Sequence, residues 1–131
     1  MDNLKLWNAV CETDPSATKP VNLGGRNFTD IDPMWLIRRA TEQWGPYGST
    51  WGLRSLAYQF LADGAAVLLS AEFFYPAGSF QLHNTAKIVS DKGRYDDEWP
   101  KKIETNTLSK ALSKLGFSAD VYLGRFDDSK Y

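Results

Sequence analysis

The side chains best placed to do chemistry in this sequence are cations, hydroxyls and amides gathered between Trp99 and Gly116. Wound as a helix at about 100° per residue, the stretch sorts into two faces. Lys102, Asn106, Ser109, Lys110, Ser113 and Lys114 fall on one side, with Lys101 at the start. Glu104, Leu108, Ala111, Leu112 and Leu115 fall on the other, a stripe that predicts a core-facing surface. Glu104 is the only acid in the stretch. Lysines and small hydroxyls on one face can hold a phosphodiester backbone without reading bases. The plainer alternative is an amphipathic helix with a solvated lysine face, although such a face usually interleaves acids with its lysines.

Other chemistries find less support. His83 is the only histidine and Cys11 the only cysteine, so neither a zinc set nor a Cys-His nucleophile can be assembled. His83 reads as a surface or interface residue. Asp96, Asp97 and Glu98 could hold Mg²⁺ for phosphodiester cleavage if Asp127 or Asp128 converged on them. Adjacent acids beside a glycine also read as a solvated turn. The chain lacks the GxxxxGK[ST] loop, so ATP use is not indicated, and no cofactor is expected.

The string KKIETNTLSKALSKLGFSADVYLGRFDDSKY resembles the most recognisable segment of phage single-strand DNA annealing proteins, the Erf/Sak-like recombinases. It is similar, more distantly, to the end of the annealing domain in the eukaryotic recombination protein Rad-fifty-two. The shared pattern is a Lys-rich start, then Thr105, Leu108, Lys110, Ala111, Leu112 and Gly116, and an acidic-aromatic end at Asp127, Asp128 and Tyr131. The upstream stretch TKPVNLGGRNFTDIDPMWLIRRATEQWGPYGSTWG also resembles the phage members. The resemblance implies ATP-independent binding and annealing of single-stranded DNA in homologous recombination and repair. It also implies a homo-oligomeric ring or filament, a contact with the host's single-strand binding protein, and a place in the host bacterial cytoplasm. Lys110 matches a basic position that family members use on the strand. Ser109 stands where the eukaryotic relative has a second basic residue.

Bulk properties set the frame. At 131 residues the chain is expected to be one domain with a single real core, and at 43% hydrophobic and 24% charged its composition is globular. No apolar run approaches the ~18 residues of a membrane span, and MDNLKLWNAV lacks the basic and apolar regions of a secretory leader. The lone Cys11 excludes an internal disulfide, fits a reducing compartment, and reads as a small buried hydrophobe on an N-terminal helix. A net charge of −1 opposes simple nucleic-acid binding, but Lys101, Lys102, Lys110 and Lys114 stand against Glu104 alone in the lysine-bearing stretch. A local positive groove on a neutral body can still take phosphate.

The elements that must position these residues follow from pattern. Leu4, Leu6, Trp7, Val10 and Cys11 predict a short helix, broken by Thr13-Asp14-Pro15-Ser16. Residues 16–26, ending in Gly24-Gly25-Arg26, read as a surface loop. Asp32-Pro33 starts a second helix, with Leu36, Ile37, Ala40 and Trp44 on one face and Trp35, Arg38, Arg39 and Glu42 on the other. A Trp35, Arg38 and Arg39 surface serves equally for base stacking or a subunit interface.

Beyond the Gly45-Pro46-Tyr47-Gly48 turn come three strands. Trp51, Leu53, Ser55 and Ala57 alternate with Gly52, Arg54, Leu56 and Tyr58. After the hairpin signal Ala62-Asp63-Gly64 runs a β-rich stretch over 65–75, and then a strand over 79–89. In that last strand Phe80, Leu82, Asn84, Ala86 and Ile88 face one way and Gln81, His83, Thr85 and Lys87 the other. Residues 91–98 read as a polar, mobile connection.

The expected fold is therefore α+β: an antiparallel three-stranded meander packed on a long C-terminal helix, with N-terminal helices. The expected DNA-binding residues are Lys101, Lys102, Asn106, Ser109, Lys110 and Lys114, with Arg54 and Lys87 added from the sheet. Unpaired sheet edges would let subunits associate, and the aromatic content of 14%, with five Trp, would supply the interface. The alternatives are a small metal-dependent nuclease and a non-catalytic oligomerisation or adaptor module.

Overall fold

A computed structural model of the chain describes residues 2–124. Asp127, Asp128 and Tyr131, the acidic-aromatic end of the resemblance, lie outside the described residues. The fold is α+β and divides into two compact units, residues 2–43 with 112–124, and Trp44–Ala111. Among the described residues no helix is long and apolar enough to cross a membrane.

The first unit begins with α1 (Lys5–Val10), the short helix the sequence predicts, with Val10 buried. Cys11 follows as its half-buried C-terminal residue. The stretch expected to be a loop is instead a hairpin of β1 (Thr18–Leu23) and β2 (Arg26–Ile31). Its two-residue connection is Gly24-Gly25, both at positive φ (57° and 79°), the pattern of a type I′ turn whose twist matches antiparallel strands. Asp32 then caps α2 (Pro33–Trp44), its carboxylate accepting the Met34 N–H at 3.0 Å.

The second unit is organised by the antiparallel meander of β3 (Gly52–Leu61), β4 (Ala66–Tyr75) and β5 (Gly78–Lys87), in that spatial order. β5 follows the predicted alternation: Leu82 is buried and Phe80, Asn84 and Ala86 are half-buried, while Gln81, His83, Thr85 and Lys87 are exposed. β3 does not. Arg54 pairs with Glu72 and Ala57 with Ser70, so Ser55 and Leu56 together oppose Ala71 in a bulge, with Ser55 at φ 55°. The extra residue reverses the alternation. Leu53 shares a face with Phe73, whereas beyond the bulge it is Tyr58 and Phe60 that share a face with Leu69 and Val67.

On the covered face Val67, Leu69, Ala71, Ile88 and Ile103 form a buried cluster, joined by Leu53, Ala86, Val89 and Trp99. At the other end of the sheet Trp51 and Phe73, both fully buried, pack with Trp44, Tyr75 and Phe80 at centroid separations of 5.4–6.4 Å. The Trp51 indole N–H donates to the Gly45 carbonyl at 2.6 Å, which holds the tight turn 45–48 against the ring.

α3 (Trp99–Lys114) carries the lysines and has 16 residues. It is not the last element, since α4 (Ala119–Tyr122) follows. Its end is a Schellman motif: the Phe117 N–H donates to the Leu112 carbonyl and the Gly116 N–H to that of Ser113, with Gly116 at φ 104°. Beyond it, in the first unit, the Ser118 N–H donates to the Val10 carbonyl at 3.0 Å. The Asp120 carboxylate accepts from the Thr13 hydroxyl at 2.7 Å and the Thr13 N–H at 2.9 Å.

Candidate nucleic-acid interface

α3 meets the sheet through Ile103 and Trp99, which pack with Val67, Leu69, Ala71 and Ile88. Ile103, Thr107, Leu108, Ala111 and Leu112 are buried. Glu104, expected on the core side, is exposed. Glu104 lies about 100° around the helix from Ile103, the residue of α3 that enters the buried sheet cluster. Thr107 is the polar element of this contact. Its hydroxyl donates to the Ile103 carbonyl at 2.6 Å and accepts from the Asn84 amide at 3.0 Å. The same amide donates to the Asn106 side-chain oxygen at 3.0 Å, so Asn106 is part of the tie between β5 and α3 as well as an exposed group.

Of the predicted contacts on α3, Lys101, Lys102, Asn106 and Lys110 are exposed. Ser109 is half-buried, and its hydroxyl donates back to the Thr105 carbonyl at 3.1 Å, so it offers less to a ligand than expected. Lys114 is exposed on the last turn and belongs to the first unit. Arg54 lies on the sheet face turned away from the buried cluster, paired with Glu72 at 2.8 Å and stacked over Phe74 at 4.6 Å. That pairing raises the Arg54 pKa and lowers that of Glu72. The bulged register sends Arg54 away from α3, and it does not join the lysines.

Trp35, Arg38 and Arg39 do not form an open stacking surface. Trp35 and Arg39 are half-buried. Arg39 lies 5.8 Å from the Trp35 ring centre, donates to the Ala9 carbonyl at 2.7 Å and pairs with Glu42 at 3.0 Å. Arg39 thereby ties α2 to α1 within the first unit, and of the three residues Arg38 alone is exposed. Nor is any of the five tryptophans fully exposed: Trp51 is buried, and Trp7, Trp35, Trp44 and Trp99 are half-buried. The exposed aromatic side chains of the second unit are instead Tyr47, Tyr58, Phe60 and Tyr95.

The connection before α3 is folded into a hydrogen-bonded turn. Val89 bridges Tyr95, the Ser90 N–H donates to the Arg94 carbonyl at 2.8 Å, and the Asp96 N–H donates to that of Ile88 at 2.7 Å. The Ser90 hydroxyl accepts the Arg94 N–H at 3.1 Å. This small hairpin frames a cleft of about 450 Å³ lined by Lys87, Arg94, Tyr95, Asp96 and Lys102 among others. Two predicted cations, from β5 and from α3, thus meet on one cleft.

Each is engaged by an acid: Lys102 reaches Asp96 within the cleft at 2.8 Å, and Lys87 reaches Asp91 at 2.8 Å. The Lys102 contact, helped by the Glu98 N–H, holds the Asp96 carboxyl below its ordinary range, and in return Asp96 raises the Lys102 pKa. Arg94 and Tyr95 were not anticipated. A Ser-x-x-Gly-Arg run before a helix is a faint turn signal, and nothing local says that the turn will present its Arg and Tyr to the helix lysines. Among the described residues no group of three or more His, Cys, Asp or Glu side chains is arranged to hold a metal ion.

The chain matches no family model, no curated protein and no solved structure.

Proposed function

We propose that this chain is a phage-type annealing protein that binds single-stranded DNA and pairs complementary strands without ATP or covalent catalysis. The observation that carries the reading is the composition of α3: Lys101, Lys102, Asn106 and Lys110 are exposed, while Ile103 and Thr107 of the same turns tie the helix to the sheet. A rigid row of cations and amides tracks phosphates and leaves base edges free for a second strand. The motif resemblance supplies the annealing step. In this reading the whole chain acts as one annealing domain in the host bacterial cytoplasm. Copies assemble into a ring or filament through the open edges of β3 and β5, so that a groove longer than one subunit holds the strand. The host's single-strand binding protein is a further partner.

The test is fluorescence polarisation of labelled oligo(dT) at two salt concentrations, for wild type and Lys102→Glu/Lys110→Glu, followed by annealing of complementary oligonucleotides. Each phosphate contact on a single strand contributes about −0.7 to the logarithmic salt slope. The double variant is expected to lose binding and annealing together. A folded wild type that does not bind at low salt overturns the reading in favour of an adaptor module. Divalent-dependent degradation that Asp97→Ala abolishes points to the nuclease instead.

A further inference from the structure

We infer that the cleft before α3 takes one nucleotide of a single strand, its base against Tyr95 and its phosphate on Arg94 and Lys102, where it replaces the Asp96 carboxylate. This inference rests on the DNA reading and gives it a specific pocket.

Three observations carry it. The cleft, about 450 Å³, falls within the size range of small-ligand pockets, roughly 300–1,000 Å³. Tyr95 is 62% exposed although its backbone is fixed by the bridge to Val89, so an aromatic face is presented on a rigid turn. Such faces are what stack unpaired bases. Finally, Asp96 occupies Lys102 as a phosphate oxygen would, with a charge-assisted contact at 2.8 Å. That ion pair is solvent-exposed, with side chains 62% and 33% accessible, so the carboxylate can be exchanged for an incoming anion at little cost.

Asp97 and Glu98 also line the cleft and set a limit on what enters. Their charges oppose a second line of phosphates, which favours one extended strand over a duplex. Asp96 then acts as an internal competitor that weakens binding until a strand arrives with enough further contacts on α3.

The experiment compares oligo(dT) binding by wild type, Tyr95→Ala, Tyr95→Phe and Asp96→Asn, with Lys102→Glu/Lys110→Glu as reference. Loss of a base stack weakens binding by about five- to a hundredfold, so Tyr95→Ala is expected in that range and Tyr95→Phe near wild type. Asp96→Asn keeps an acceptor for the Glu98 N–H, made at 3.0 Å, and so preserves the turn. It is expected to tighten binding several-fold and to steepen the salt slope by about 0.7. A 5-iodouracil oligonucleotide should crosslink to Tyr95. Wild-type affinity in Tyr95→Ala, or unchanged affinity in Asp96→Asn, overturns the inference while the charge-reversal pair still reports on the DNA reading. No binding by wild type overturns both.

Discussion

Gly116→Ala gives the sharpest check on how the lysine-bearing helix is terminated and anchored. Two costs add at this position. The backbone sits at φ 104°, where a Cβ is strained, at about 1–2 kcal/mol. The added methyl would also lie 2.7 Å from Cδ2 and Cε3 of Trp7 and 2.9 Å from its Cγ, closer than carbon atoms approach. Trp7 is a flat ring that cannot yield at one end as a flexible side chain does, so displacing it costs a further ~1–3 kcal/mol.

The expected loss is therefore about 2–5 kcal/mol, enough to lower the unfolding midpoint by roughly 6 °C or more in a chain of this size. Gly24→Ala is the control. It too sits at positive φ, 57°, but nothing lies within 4 Å of its added methyl, so only the backbone cost of about 1 kcal/mol applies. Urea denaturation followed by tryptophan fluorescence measures both. If Gly116→Ala loses no more than Gly24→Ala, the packing of Trp7 against the end of α3 is not as described.

Three other outcomes follow from the same structure. Thr107→Val removes an acceptor from the Asn84 amide but leaves Asn106, so a loss of about 1 kcal/mol is expected, and the penalty should shrink in an Asn84→Ala background when a double-mutant cycle is run. Leu69→Ala empties a fully buried site in the sheet–helix cluster and should cost about 2–5 kcal/mol by chemical denaturation. Because Asp96 has a lowered pKa when folded, its tie to Lys102 is complete at neutral pH and is lost as pH falls through that lowered value. Carboxyl-detected NMR should place its titration below that of an ordinary aspartate, and Lys102→Met should move it back up; a normal titration in the wild type would refute the ion pair.

How much of this was legible in the sequence depends on how far each feature reaches. Asp32-Pro33 announces α2, and Gly116 marks the end of α3, because caps and stops act over four or five residues. The alternation of β5 and the three-stranded order also lie in the sequence, since burial on one face imposes a two-residue period. The Gly24-Gly25 hairpin reads as a loop in the sequence, because a glycine pair between short polar strands says less than one between apolar runs.

Features fixed by a partner distant in the chain could not be read from local pattern. The bulge at Ser55 and Leu56 exists only against Ala71, and it sends Arg54 away from α3 while turning Tyr58 and Phe60 toward it. Arg39 is drawn inward by a carbonyl of α1 that no helical wheel contains. Ile103 enters the buried sheet cluster, whereas its neighbour Glu104 is exposed. Arg94 and Tyr95 line one cleft with Lys87 and Lys102 because Val89 bridges Tyr95 and Ile88 accepts from the Asp96 N–H across the turn. Local pattern places the cations on their elements; pairing between distant segments brings Lys87 and Lys102 to one cleft and leaves Arg54 outside it.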